Sequence, residues 1–273
     1  MCQLVFYKPP IIELSGKKGK GLGRAMSTSI FDTKSMEPAL QAHLMGTVDF
    51  DRCLKLQRRI AKSAARAADG DATLLLCEHS PMITVGRGGR PEEVARGSRA
   101  IRGGQYPIKW VGRGGGAMVH GPGQIAVYPI VPIGWHELSV GRFFERLRSA
   151  VAAMFEELRI PVQTSDATPD LIGRTGRLAT FGLAVRRGVT YFGAYINVAM
   201  SPGALRLVES PTADIPRLSC MQAEHRGRYP MSRVRSLLVE KLAVELDFTR
   251  FHLYTGHPLL KSESETRRQM GTA

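Results

Sequence analysis

A chain of 273 residues has room for one large domain or two small ones and for a sizeable core. No run approaches the roughly 18 apolar residues of a membrane span, and the lysine-bearing N-terminus lacks the apolar stretch of a secretory signal, so a cytoplasmic location is expected. Against 24 acidic side chains stand 38 basic ones, and the resulting +14 favours an acidic partner, nucleic acid or a small acidic carrier protein alike.

Residues 1–30 read as a flexible basic extension: "SGKKGKGLGR", Ser15 to Arg24, is rich in glycine and lysine with no periodic apolar pattern. It is not a phosphate-binding loop, because Leu22 and Gly23 stand where Lys and Ser/Thr are required. Met26 is an alternative start. Phe50, Leu54, Ala61, Ala64 and Ala68 then recur at helical spacing, with Asp49 or Asp51 able to cap the first turn. Thr73 to Glu78 and Met82 to Val85 read as short strands, and Ile108 to Val111 and Ile125 to Val131 bracket a glycine-rich loop. A second helix follows Ser139, its apolar face formed by Phe144, Leu147, Val151, Met154, Phe155 and Leu158. "RLATFGLAVRR" and "VTYFGAYINV" flank Gly188 as the arms of a hairpin, and a last helix carries Val234, Leu237, Leu238 and Leu242. The tail from Lys261 reads as disordered. Strands interspersed with three helices imply an α+β sheet domain spanning 31–260.

Cys2, Cys53, Cys77 and Cys220 lack the short paired spacing of a zinc site or disulfide framework, so they read as free buried thiols with no metal expected. The segment Val111 to Ile130, "VGRGGGAMVHGPGQIAVYPI", is the most informative: its glycines allow close backbone approach to a ligand, and Arg113 and His120 are its charged or titratable groups. A dinucleotide site is disfavoured, since no helix follows the glycines and no acidic residue stands at the expected offset.

"RGGGAMVHGPGQIAVYPI" resembles the RGG-x4-HGPGQ-x3-YPI signature of the octanoyltransferase family, also called lipoate-protein ligase B. "LLLCEHSPMITVGRGG" (Leu74 to Gly89), "LMGTVDFDRCLKLQRRI" (Leu44 to Ile60) and "FGAYINV" (Phe192 to Val198) resemble three further blocks of that family, in its order, over roughly residues 43–250. The resemblance implies a single biotin/lipoate-ligase-like domain of α+β class, a mixed sheet packed with helices, and no cofactor. It implies octanoyl transfer from octanoyl-acyl carrier protein to a lysine of the lipoyl domains of 2-oxoacid dehydrogenases and of the glycine cleavage H protein. Both kinds of partner are acidic in that family, which accounts for the +14 without nucleic acid, and no aromatics interleave the basic extension. Substrate binding carries over to Arg113, Gly114, Gly115, Gly116, Ala117, Met118, Val119 and His120, and to Thr180, Phe181, Gly182, Gly193, Ala194 and Tyr195. His79 is open between ordering its turn and serving the site.

The catalytic pair of the family, a cysteine acylated as a thioester and a lysine that lowers its pKa, does not carry over. The lysine position falls on Arg177, in "RLATFG". The cysteine position falls on Pro211, or with a one-residue slip on Thr212 or Ser210. Phe192 replaces the family's histidine, and Tyr195 replaces an alanine, whose added bulk predicts a shortened or reshaped acyl tunnel. Cys220, nine residues past the expected nucleophile, is a relocated nucleophile or an inert core thiol. Two outcomes are therefore expected: direct attack of the target amine on the bound thioester, or a degenerate member that binds its partners without turnover.

Overall fold

The computed structural model describes residues 37–260 except 68, 211, 225 and 226, so the extension 1–30, the tail from 261 and Pro211 lie outside the described residues. The compact unit begins at Pro38. In chain order it comprises β1 (Ala39–Thr47), α1 (Phe50–Ala67), β2 (Ala72–Glu78), β3 (Met82–Val85), α2 (Arg99–Arg102), β4 (Ile108–Trp110), β5 (Ala117–His120), β6 (Gln124–Ile130) and α3 (Val140–Glu157). There follow β7 (Gln163–Ser165), β8 (Thr168–Ile172), β9 (Arg177–Arg186), β10 (Val189–Asn197), α4 (Pro202–Leu205), α5 (Met221–Glu224), α6 (Met231–Glu245) and β11 (Arg250–Thr255).

Eight strands form one mixed sheet in the order β11-β1-β2-β6-β10-β9-β8-β7. Its β11, β1 and β2 run parallel and the remaining pairings are antiparallel. A small second sheet, β4-β3-β5, carries the glycine-rich loop between β4 and β5. The expected α+β class, with a mixed sheet and three long helices, is what the chain forms.

Side-chain alternation along the strands divides the core. Leu74 and Leu76 of β2 join Val127, Ala194 and Ile196 under α3 and α6, which contribute Leu147, Val151, Met154, Phe155, Val234, Leu238 and Leu242. Leu75 and Cys77 point to the other face, where Phe50 and Leu54 of α1 cover Tyr128, Phe192 and Tyr195. Central strands buried on both faces lose the polar alternation of a half-exposed sheet and read as continuous apolar runs.

The local signals are satisfied in kind. Asp49 Oδ1 accepts the Arg52 N–H at 2.9 Å and caps α1, while Ser139 Oγ accepts from Arg142 N at 3.1 Å and caps α3. Near the start of α3 it is Phe143 rather than Phe144 that is fully buried, with Phe144 packed at the margin of the core. Arg187 and Gly188, at φ 51° and 73°, form the tight turn of the β9–β10 hairpin, whose strand twist favours left-handed central residues. None of the described helices is long and apolar enough to cross a membrane.

Candidate functional site

The glycine-rich loop folds around one buried cation. Arg113 has no exposed surface, and its guanidinium donates to four acceptors: Nη1 to Gly114 O (2.9 Å) and Gly116 O (3.0 Å), Nη2 to Thr84 O (3.0 Å) and Thr84 Oγ1 (2.7 Å). Two glycines make room for it. A Cβ at Gly182 would stand 2.8 Å from Arg113 Cδ, and one at Gly86 would stand 2.8 Å from Nη1. Burial pushes the Arg113 pKa down, opposed by the nearby Tyr195, Tyr128, Asp170 and Glu93. Its Nε is buried without a hydrogen-bond partner, and its guanidinium carbon lies 5.9 Å from the centre of the Tyr195 ring.

Thr84 links Arg113 to His120. Gln124 donates from Nε2 to Val119 O and Asn197 Oδ1, both at 2.9 Å, so its Oε1 faces His120 Nδ1 at 2.9 Å. That arrangement puts the imidazole proton on Nδ1 and leaves Nε2 to accept from the Thr84 hydroxyl at 2.8 Å. Burial, then His79 and Arg113, hold the His120 pKa well below the usual histidine range, so the ring is neutral at pH 7. A hydroxyl between a guanidinium and a neutral imidazole is polarised for proton transfer. Thr84 and Gln124 carried no role in the sequence reading, although Gln124 closes the HGPGQ motif. The partners of Thr84 lie 29 and 36 residues away, and Gln124 also reaches Asn197, 73 residues on, all out of reach of a local pattern.

Beside this network, His79 donates from Nδ1 to Val48 O (2.7 Å) and accepts at Nε2 from the Tyr128 hydroxyl (2.7 Å). His79 thus orders its turn and also supports the site, its ring 6.0 Å from that of His120. Cys53, Cys77 and His79 have ligand atoms within 4.8 Å of one another. Nε2 of His79 is already occupied by the Tyr128 hydroxyl. The trio is a hydrogen-bonded core cluster: Cys53 and Cys77 sulfurs lie 4.0 Å apart, and Gln57 Nε2 donates to Cys53 Sγ at 3.6 Å. Burial pushes the Cys77 thiol well up, which keeps it protonated and unreactive.

The structure brings most of the expected substrate residues together. Met118 and Val119 of β5 pair with Thr84 and Ile83. On the β9–β10 hairpin, Tyr195 pairs with Thr180, Ala194 with Phe181 and Gly193 with Gly182. Gly193 is required by strand approach, since a Cβ there would lie 2.2 Å from Val127 O. In the loop, Gly114 N donates to Leu183 O (2.8 Å) and Ala117 N to Glu93 Oε2 (2.7 Å), while Gly115, at φ 76°, turns the chain. Tyr195 is fully buried against the His120 ring, 4.8 Å away between centres, with its hydroxyl lacking a hydrogen bond of normal geometry. Phe192 holds φ 57°, pinned by its N–H to Gln57 Oε1 at 2.9 Å.

Of the residues at the expected catalytic positions, Arg177 and Ser210 meet at one carbonyl, Pro216 O, to which both donate. Arg177 is 7% exposed and pairs with buried Asp170 at 2.7 Å, while its Nε donates to Pro216 O at 2.7 Å. Arg177 is therefore a clamp between β8, β9 and the segment before α5. Thr212 is exposed, and Ser210 Oγ donates to Pro216 O at 3.0 Å. Cys220 is buried among Val94, Val119, Met200 and Leu205, the surroundings of a core thiol.

These histidines make stability pH-dependent. His43, His79, His120 and His257 all have pKa values lowered by burial, His257 to about 4. A histidine whose folded pKa lies below its unfolded value stabilises fully above about pH 6.5 and loses that contribution as pH falls through that value. The urea midpoint is expected to drop between pH 7.5 and pH 5, and to drop less in His257→Gln. An equal drop in both proteins would contradict the assignment for His257.

Comparison with known proteins places this architecture. Residues 49–246 match the family model of the lipoyl protein ligase A/B catalytic domain. The octanoyltransferase of Mycobacterium leprae is 30% identical over 220 residues, covering 78% of this chain and 91% of that protein. The octanoyltransferase of Geotalea uraniireducens is 29% identical over 194 residues, 70% of this chain and 86% of that protein. Against the octanoyltransferase of Xanthomonas euvesicatoria identity is 34% over 123 residues, and there the chain spans about half of the relative's length, 50%. Among solved structures, lipoate-protein ligase A bound with ATP has a TM-score of 0.63 at 17% identity, covering 85% of this chain and 94% of that one. The bipartite lipoate protein ligase of Thermoplasma acidophilum, studied with its E2 lipoyl domain, has a TM-score of 0.61 at 16% identity, over 85% and 91%. At those identities the likeness to the solved structures is one of fold.

Proposed function

The chain belongs to the lipoyl protein ligase A/B catalytic-domain family and to its octanoyltransferases, and from that premise we propose that it transfers octanoyl from octanoyl-acyl carrier protein to a lysine of lipoyl domains. The acceptors are the lipoyl domains of 2-oxoacid dehydrogenases and the glycine cleavage H protein, in the cytoplasm. One observation carries the reading: the RGGG and HGPGQ halves of the signature form a single buried network, Arg113–Thr84–His120–Gln124. The β9–β10 residues expected at the acyl site lie on paired strands, with Gly182 and Tyr195 against Arg113.

With no thiol at the family position, transfer proceeds by direct attack. The lysine amine adds to the thioester carbonyl, the tetrahedral oxyanion collapses, the C–S bond breaks, and the amine proton leaves with the carrier thiol. Arg113, whose Nε has no other partner, and backbone N–H groups of the loop offset the charge that develops on oxygen. Substrate entry requires the loop to open, because Thr84, Arg113, His120 and Tyr195 have no exposed surface.

One observation favours a second reading, a degenerate member that binds acyl-carrier or lipoyl domains without turnover. Arg177 is held by Asp170 and cannot replace an acid–base lysine. Intact-mass spectrometry of a lipoyl domain incubated with the protein and octanoyl-acyl carrier protein separates the two. Octanoylated lipoyl domain is expected. Stable complexes without it would establish the second reading, and neither product nor complex would overturn both.

A further inference from the structure

We propose that the exposed basic face formed by α1 and the β9–β10 turn is the docking surface for the acidic protein that delivers the acyl group, an inference that rests on the acyl-transfer reading above. Two adjoining cavities define it. One, of about 320 Å³, is walled by Arg58, Lys62, Arg186 and Arg187 over a floor of Ala61, Ala65 and Tyr191. The other, of about 490 Å³, shares Arg58 and runs past Lys55, Lys109 and Trp110 to Gly112, the residue before Arg113. Together they lead from the hairpin tip to the substrate loop.

The charge pattern is one-sided. The single acid of α1, Asp51, is held in an ion pair by Lys109. Arg58, Lys62, Arg186 and Arg187 are exposed and enter none of the ion pairs found among the described residues. Four like charges around one cavity repel each other and do nothing for the fold, so their natural complement is a set of carboxylates on a partner. Trp110 is 55% exposed at the far end, an aromatic anchor among cations of the kind that dominates protein interfaces.

The floor decides between classes of partner. Alanines and the Tyr191 ring between the cations suit a protein helix that alternates carboxylates with apolar side chains, whereas a phosphate backbone presents no apolar group to cover them. Tyr191 also leads inward. Its ring centre lies 5.1 Å from that of Phe192, within the cluster that holds Tyr195. A carrier seated here would deliver its acyl group beside the loop that holds Arg113.

The test compares two charge-reversal pairs, Arg58→Glu/Lys62→Glu and Arg186→Glu/Arg187→Glu, with a control pair, Arg159→Glu/Arg233→Glu, in a different basic cavity. Octanoyl-acyl carrier protein is titrated directly and KM and kcat are measured in transfer, with thermal unfolding to confirm folding. Each test pair is expected to weaken carrier binding and raise KM about tenfold or more at low salt, with kcat little changed and the difference shrinking as salt screens it. The control pair is expected to leave both unchanged. Unaltered carrier affinity in the test pairs would overturn the surface while leaving acyl transfer standing, as would equal losses in all three. Loss of binding to a 20-base-pair DNA duplex with carrier affinity intact would assign the face to nucleic acid. A wild-type protein that neither binds nor uses the carrier would overturn both readings.

Discussion

Replacing Arg113 with methionine is expected to cost the fold about 3–5 kcal/mol and to abolish acyl transfer. The guanidinium satisfies the carbonyls of Thr84, Gly114 and Gly116 in a site without solvent, and methionine leaves all of them without that donor. It also removes the donor to Thr84 Oγ1, so the hydroxyl that His120 accepts from loses its orientation. Arg113→Lys is no substitute, because one ammonium cannot fork to acceptors on both sides. The measurement is chemical unfolding alongside transfer activity. An Arg113→Met protein as stable as the wild type would show that the loop does not depend on this cation.

The second large effect concerns Arg177 and Asp170. Breaking a buried ion pair by deleting one partner leaves an uncompensated charge, so Arg177→Met is expected to destabilise by about 3–5 kcal/mol. The double variant Arg177→Met/Asp170→Leu is expected to recover much of that loss, since neither charge is then buried alone. Burial raises the Asp170 pKa despite the attraction of Arg177, which indicates how costly its desolvation is. A raised carboxylate pKa contributes stability below about pH 4 and loses it as pH rises through the folded value, so the single variant should recover partly on acidification. Equal losses in the single and double variants would contradict this account. If the loss is confined to stability, Arg177 acts as a clamp on the segment before α5 and takes no part in proton transfer.

How far the chain can be read without its fold depends on the range of each interaction. The helices around Phe50, Leu147 and Leu238 were legible because their apolar repeats are local, and the β9–β10 hairpin because Gly188 marks its turn. β1 and β11 carried no such mark. They become strands by pairing in parallel across the length of the chain, Ala39 with Arg250 and Leu44 with Thr255. β8 contains Pro169 and Asp170, which read as turn residues, yet Asp170 is buried as the counter-ion of Arg177.

The site divides in the same way. Arg113 and His120 stood out inside a dense motif, and the fold places Gly182 and Tyr195 beside Arg113. That Thr84 bridges the two could not be read, because threonine in a strand is ordinary and its partners lie 29 and 36 residues away. Gln57 is a similar case: helical periodicity shows a polar residue, while the fold uses it 135 residues away to hold the backbone of Phe192.

The most direct test of the central claim, acyl transfer without a thiol nucleophile, is intact-mass spectrometry of both proteins after reaction of the Cys220→Ala variant with octanoyl-acyl carrier protein and a lipoyl domain. The account predicts octanoylated lipoyl domain at close to the wild-type rate, and no octanoyl adduct on the wild type or the variant. A covalent octanoyl adduct on the wild-type protein that disappears with Cys220, together with transfer, would contradict it.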